Sequence, residues 1–321
     1  MPSLLQPAAR AYAALGAVRH ALATPYRAPV PVICVGNLVA GGAGKTPVAE
    51  SLVSLLAARG RHPAILSRGY GGSEPGPVQV DAAKHRARAV GDEPLMLSRL
   101  APVWVARDRV AAARAAVAAG ADCLVMDDGF QNPGLAKDLS LLVIDGAYGL
   151  GNGRVMPAGP LREPAFRGLA RADAVVLIGE DALDLGPRIT KPVLRAALQP
   201  VNAADFAGRK VVAFAGIGRP EKFFATLAAC GAQVLARHGF PDHHAYSEAE
   251  LRNLAAEAAA NAATLVTTTK DRMRMEGAWR ERVPALAVAI AWQDRGALLR
   301  LVDAVPGGNQ ETGEAARRSR G

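Results

Sequence analysis

Short apolar runs alternate with segments of helical periodicity along most of the chain. Residues 31–36 (PVICVG) are continuously apolar and end in glycine, as expected of a strand buried on both faces. The same kind of run recurs at 63–67, 102–106, 122–129, 139–146 and 174–179. Between the runs, 47–60, 93–101 and 109–120 read as helices; the first opens on Pro47 and closes on Gly60, the usual punctuation of helix ends. Strand–helix alternation of this kind predicts a parallel sheet covered on both faces. A second block of the same character starts near Gly208, with strands expected at 211–218, 264–270 and 284–292 and helices at 220–231, 247–262 and 293–304. The fold class is therefore α/β, with a domain boundary expected at 203–209 and no internal repeat. The expected divisions are an N-terminal helix within 1–30, a first domain over 31–205, a smaller one over 206–305, and a polar tail, 306–321, expected to be disordered.

Residues 4–22 carry Leu4, Leu5, Ala8, Tyr12, Leu15, Val18 and Leu22 at three- and four-residue steps, with Arg10 and Arg19 alongside. Such an amphipathic helix either packs on its own domain or lies in a membrane interface, its basic residues meeting anionic headgroups. The segment lacks a hydrophobic stretch followed by a cleavage site, so a signal peptide is not expected. No apolar stretch reaches the ~20 residues needed to span a bilayer.

Composition narrows the picture. Half of the residues are hydrophobic and only 5% are aromatic, so the core must be mainly aliphatic. Cys34, Cys123 and Cys230 are far apart, odd in number and set in apolar runs; they read as reduced core residues, which argues against a disulfide framework or a zinc site. The net charge of +9 is modest for 321 residues, without Lys/Arg clusters interleaved with aromatics. That balance favours anionic small molecules or a lipid surface over nucleic acid.

The strongest chemical signal is VGNLVAGGAGKTP (35–47), a glycine-rich loop joining a buried strand to a helix. Gly41, Gly42 and Gly44 let backbone N–H groups curl around phosphate oxygens, and the helix N-terminus adds its positive end. Lys45 would reach the β- and γ-phosphates, and Thr46 would offer its hydroxyl to Mg²⁺. The spacing departs from the ordinary P-loop, which has glycine where this chain has Val39. Asp127 and Asp128 end an apolar strand, at the sheet edge where ligands sit, and can hold a metal; Asp145 is a rival. Asp92, after Gly91 at a helix start, is either an N-cap or the acceptor of a hydroxyl proton. His243, in the loop FPDHHAYS (240–247), is a candidate for proton handling. RGYGG (68–72) and GPLREP (159–164) are either rigid turns with a solvated arginine or loops whose arginines clamp phosphate.

GNxxxGGxGKTP (36–47), SRGYGG (67–72), GDEP (91–94), ARDR (106–109), MDDGFQ (126–131), MPAGPLREP (156–164) and FxDHxxY (240–246) occur here in that order. This set resembles the tetraacyldisaccharide 4′-kinases, the lipid A 4′-kinase family. The resemblance implies a P-loop NTPase-like parallel-sheet domain with a second, smaller α/β domain and an N-terminal amphipathic helix. It implies ATP and Mg²⁺, and transfer of phosphate to the 4′-hydroxyl of a tetraacylated glucosamine disaccharide 1-phosphate, a lipid A precursor. It also implies a peripheral protein, expected to be monomeric, on an anionic membrane surface: the cytoplasmic face of the bacterial inner membrane. On this chain Asn37, Gly41, Gly42, Ala43, Gly44, Lys45 and Thr46 fall on the nucleotide loop. Thr46, Asp127 and Asp128 fall on the metal site. Asp92, assisted by His243, is the implied base, alongside Lys45. An ordinary aspartate is a weak base near neutrality, so either its pKa is raised or it acts through His243. Arg68, Tyr70, Arg109 and Arg162 are implied substrate or phosphate contacts. Thr269, in TTTKD (267–271), stands where many relatives carry an acid. The rival reading is a P-loop switch or partitioning ATPase; such proteins with a deviant loop carry Lys before the paired glycines, where this chain has Ala40.

Overall fold

The computed structural model describes residues 4–305; the tail expected to be disordered, 306–321, lies outside the described residues. Thirteen strands are seen among them: β1 (Val32–Gly36), β2 (Pro63–Ser67), β3 (Val78–Gln79), β4 (Val103–Val105), β5 (Cys123–Asp127), β6 (Leu139–Asp145), β7 (Ala174–Ile178), β8 (Val193–Pro200), β9 (Lys210–Ala215), β10 (Gln233–Gly239), β11 (Thr264–Thr268), β12 (Ala285–Leu286) and β13 (Val288–Trp292). Nine form one sheet in the order β13-β8-β7-β6-β1-β5-β2-β4-β3. The interior is parallel, and only the edge strands β13 and β3 run antiparallel to their neighbours. The other four form a parallel sheet, β10-β9-β11-β12.

Side chains alternate across the large sheet as its pleat requires. Ile33 and Val35 of β1 enter one core with Leu52 and Val53 of helix Lys45–Ala57, while Val32 and Cys34 enter the other with Ala112 and Ala116 of helix Arg109–Ala118. Cys34 and Cys123 are buried free thiols and Cys230 is a half-buried one. β1 lies between β5 and β6, so the loop after β1 opens at the point where the strand order reverses, the usual place for a ligand in an open α/β sheet.

Three strands escape sequence reading because none is an apolar run: the two-residue edge strand β3, β8 and β10. β8 mixes buried Leu194 and Ala196 with exposed Arg195, and β10 alternates half-buried and exposed positions along the edge of its sheet. The run 284–292, expected as one strand, is two. Ala287 separates β12, in the small sheet, from β13, which pairs with β8 in the large one. Residues 288–303 therefore pack with the large sheet, although the sequence grouped them with the smaller unit; helix Arg295–Asp303 adds Leu298 and Val302 to its core. The two crossings between sheets lie side by side. Val201 N–H donates to Ala287 O (3.0 Å), while Asn202 accepts from Ala287 N–H (2.9 Å) and donates to Ala285 O (3.1 Å).

Glu50, on helix Lys45–Ala57, is half-buried, and burial pushes its carboxyl up from an ordinary 4.5 to about 7. The folded state keeps a proton that the unfolded chain releases, so stability falls as pH rises through that window. Glu50→Gln is expected to stabilise the fold by about 1–3 kcal/mol near pH 8 and to change little near pH 5. Melting temperatures at the two pH values check this; an equal gain at both would exclude burial of the charge as the cause.

Candidate active site

The glycine-rich loop leaves β1 and feeds helix Lys45–Ala57, with Gly44 as the N-cap. Asn37 is fully buried and folds the loop over itself, donating to Val39 O (2.6 Å) and Gly41 O (3.3 Å). Gln131, from the loop after β5, donates to Asn37 O (2.9 Å) and braces it from outside. A Cβ on Gly41 or Gly42 would meet no atom within 4 Å; Gly41 needs glycine for its φ of 111°, whereas at Gly42 neither packing nor backbone demands it. Bare backbone facing open space is what close approach of phosphate oxygens requires.

Two acids stand opposite this loop. Asp127 ends β5, almost fully buried, with Oδ2 3.5 Å from Thr46 Oγ1 and with Oδ1 lacking any partner. Burial first, then the nearby Glu93 and Asp128 carboxylates, push its carboxyl up; Lys45 opposes them. An orphaned carboxylate oxygen beside a hydroxyl is a hard-oxygen donor set, which fits Mg²⁺ and its preference for few protein ligands. Asp128 is held differently. Burial raises its pKa, but Lys45 (Nζ–Oδ1 3.8 Å) and Arg162 (Nη1–Oδ1 2.8 Å) together hold it below the usual carboxylate range.

Asp145, the rival metal acid, has both oxygens engaged. Oδ1 accepts from the amides of Ala147 (3.1 Å) and Tyr148 (3.2 Å) in the turn after β6. Oδ2 accepts from Lys222 and from Arg219 (2.7 Å), both in the smaller unit. Arg219 also donates to Gly42 O (3.0 Å), so the small unit touches the glycine loop directly.

Asp92 and His243 come from opposite sides of the cleft and meet there. Asp92 is the first residue of helix Asp92–Leu97, whose N-cap is Gly91, so it does not take the capping position. Its Oδ2 receives Arg274 Nε at 2.6 Å and lies 3.2 Å from His243 Nδ1. The expectation of a raised Asp92 pKa is not met. Burial does push it up, but the hydrogen bond from His243 and the charges of Lys270 and Arg274 outweigh burial and hold the group ionised, well below the usual carboxylate range.

The glycines of 68–72 explain how Tyr70 reaches this point. A Cβ on Gly72 would lie 2.5 Å from Ala89 O, so the loop can lie flat against residues 89–91 only without a side chain there. Tyr70 is largely exposed, and its ring centroid stands 5.0 Å from that of His243. Arg68 is exposed just past β2. Arg109 is buried behind the acids, with Nη1 on Ala106 O and Nε unpartnered; burial first, then Arg68, lower its pKa to about 10.

Sequence reading missed the supporting set from the small unit. Lys270 sits 3.1 Å from Glu93 and 3.3 Å from His243 Nε2. Arg274 bridges Asp92, Gly216 O (2.6 Å) and Asp271 (2.8 Å). The fully buried Asp271 also accepts from Gly216 N–H (3.0 Å) and Tyr246 Oη (2.8 Å). A signal was present: TTTKD follows an apolar strand, as Asp127 and Asp128 do. Thr269 faces away, donating to Leu286 O (3.4 Å) in β12.

Comparison with known proteins agrees with this architecture. The sequence profile of the family described as tetraacyldisaccharide-1-P 4′-kinase, LpxK, matches residues 1–306. The chain is 57% identical over 319 residues to the tetraacyldisaccharide 4′-kinase of Rhodospirillum centenum, covering 98% of this chain and 95% of the relative. It is 56% identical over 305 residues to that of Gluconacetobacter diazotrophicus, covering 94% and 92%. Among solved structures, LpxK from Aquifex aeolicus in complex with ATP is similar at a TM-score of 0.76 and 29% identity, covering 95% of this chain and 99% of that one. With the profile spanning both sheets and every element of the cleft, the chain belongs to the tetraacyldisaccharide-1-P 4′-kinase family, LpxK.

Proposed function

We propose that the chain transfers the γ-phosphoryl group of ATP to the 4′-hydroxyl of a tetraacylated glucosamine disaccharide 1-phosphate, a lipid A precursor. The observation that carries this reading is the cleft itself. A phosphate loop with an orphaned buried carboxylate faces, within one site, an Asp92–His243 pair suited to taking a hydroxyl proton. A P-loop switch has no need of a proton acceptor beside its nucleotide.

In this reading the backbone of Gly41, Gly42, Ala43 and Gly44 cradles the phosphates and Lys45 offsets charge on the phosphoryl group in flight; Asn37, expected from the sequence as a nucleotide contact, is buried and acts by shaping the loop instead. Thr46 and Asp127 would hold Mg²⁺, with Asp128 beside them. When bound, the ion neutralises phosphate charge and aligns the terminal group. Arg162 keeps Asp128 ionised, Arg109 adds positive potential from behind, and Arg68 and Tyr70 are left to contact the acceptor. His243 takes the hydroxyl proton, and the ionised Asp92 stabilises the imidazolium that forms. Incubation with ATP, Mg²⁺ and the disaccharide 1-phosphate in mixed micelles is expected to add one phosphate to the lipid by mass spectrometry. Acceptor-independent ATP hydrolysis with unmodified lipid would favour the switch.

The proposed setting is peripheral, on the cytoplasmic face of the inner membrane, as a monomer. No helix among the described residues is long and apolar enough to cross a membrane. Helix Gln6–Leu22 buries only Ala9 and leaves Leu15 72% and Leu22 79% exposed, with Arg10 and Arg19 on the same helix. An apolar face left uncovered beside basic residues suits an anionic lipid surface. The working division is this helix, a nucleotide unit over 31–205 joined by 288–303, and a smaller unit over 206–287. Removal of residues 1–22 is expected to leave a folded protein with weaker binding to anionic vesicles, and high salt to weaken binding of the intact chain. Aggregation of the truncated protein would instead mean that the helix covers a core.

A further inference from the structure

We propose that Lys270 is a positioning residue that fixes His243 in the neutral tautomer with a free lone pair on Nε2. The inference rests on the reading of His243 as proton acceptor and adds what prepares it. The Lys270 ammonium lies 3.3 Å from His243 Nε2. An ammonium has only donors, so Nε2 accepts. The single ring proton of a neutral imidazole then sits on Nδ1, 3.2 Å from Asp92 Oδ2, where an ionised carboxylate receives it. The two neighbours thus select one tautomer from opposite ends of the ring. It is the tautomer a base needs, because Nε2 is left to accept the next proton.

Four groups face the ring. Asp92 comes from helix Asp92–Leu97, Lys270 from helix Thr269–Arg274, Asp242 from the histidine's own loop (3.9 Å), and Tyr70 from the loop after β2. Lys270 is itself held by Glu93 (3.1 Å) and Asp242 (3.9 Å). Burial disfavours its charge, yet Glu93, Asp92 and Asp242 outweigh burial and raise its pKa, so it stays an ammonium. His243 has a left-handed backbone, with φ of 61°, which few non-glycine residues adopt, and its N–H donates to Gly216 O (3.1 Å). Ring and backbone are therefore both held in place, and the ammonium is anchored on Glu93. In turnover the acceptor hydroxyl takes the place of Lys270 at Nε2; its O–H bond breaks, the proton joins Nε2, the oxygen pair attacks the γ-phosphorus, and the bond from that phosphorus to the bridging oxygen breaks, its electron pair leaving with ADP. Lys270 keeps Glu93 as its partner when it yields that place.

The test is ¹⁵N NMR of the full-length, histidine-labelled protein near neutral pH, with the His243 signals assigned from a His243→Gln sample. The expected result is protonation at Nδ1 only. In Lys270→Met the ring is expected to become a mixture of tautomers and kcat to fall about tenfold or more, with the KM for ATP unchanged. Lys270→Arg, which keeps a donor at Nε2, is expected to restore the Nδ1–H tautomer and part of the rate. Wild-type protein showing Nε2–H would overturn the proposal without any variant, as would a Lys270→Met protein with unchanged tautomer and kcat. If His243→Gln keeps its kcat, the reading of His243 as proton acceptor fails; if it loses kcat while Lys270→Met does not, only the role of Lys270 fails.

Discussion

Lys45→Ala is expected to lower kcat about 10²–10³-fold, roughly 3–4 kcal/mol of transition-state stabilisation, while the protein stays folded. The Lys45 side chain is 10% exposed, at the N-terminus of helix Lys45–Ala57, with Nζ 3.8 Å from Asp128. A fixed cation in so enclosed a place acts most strongly when charge spreads over the transferring group, so kcat suffers more than ground-state binding. Asp128 keeps its 2.8 Å partner Arg162, so the substitution strands no carboxylate. Turnover under saturating ATP, with a thermal melt of the same preparation, checks this. A folded Lys45→Ala protein with near-normal kcat would remove the loop from the mechanism.

Asp92→Asn and His243→Gln should each lower kcat by about 10²–10³-fold, and the double variant should be little worse than the poorer single one. The two side chains share one hydrogen bond across the cleft. A proton acceptor without its counter-charge and a counter-charge without its acceptor fail at the same step, so their losses do not add. Asn is preferred to Ala because Asp92 is nearly buried against Arg274, and an Ala would leave a hole as well as an uncompensated charge. Arg274 retains Asp271, so the stability cost of Asp92→Asn should stay near 1–3 kcal/mol by the usual worth of one charged hydrogen bond. Nucleotide affinity should be unchanged in all three variants, since neither side chain belongs to the glycine loop. Strictly additive effects on kcat would separate the pair, and an unchanged kcat in Asp92→Asn would end its part in proton transfer.

Legibility in this chain follows burial. β1, β2, β5, β6 and β7 are covered on both faces, and an apolar run bounded by glycine or acid announces them. The phosphate loop is legible for a related reason: its chemistry comes from a contiguous backbone stretch, so spacing carries the information. Asp127 and Asp128 were visible by their place at the end of a buried strand. β8 and β10 were not, because half their positions face solvent and their pattern matches many loops. Lys270 and Arg274 lay within a run already noticed, yet nothing local marks a lysine or arginine as buried against partners some 180 positions away; Arg274 and Asp92 are separated by 182 residues.

Residue order alone announces the local structures and the motifs that carry the family resemblance: strands buried on both faces, the glycine loop with Lys45 and Thr46, the strand-end acids, and an N-terminal helix with an apolar stripe. These depend on contacts within one turn, one strand or one loop. Whatever depends on partners distant in the chain became visible in the folded protein. Folding split the run 284–292 at Ala287, because pairing with β8 on one side and β11 on the other cannot be read from nine apolar residues. It also decided the state of Asp92. Burial pushes this carboxyl's pKa up; His243, Lys270 and Arg274, brought from the smaller unit, outweigh burial and hold it below the usual carboxylate range. The physical reason is the same in both cases: sheet pairing and electrostatic potential are sums over neighbours in space, and the chain meets those neighbours only once it is folded.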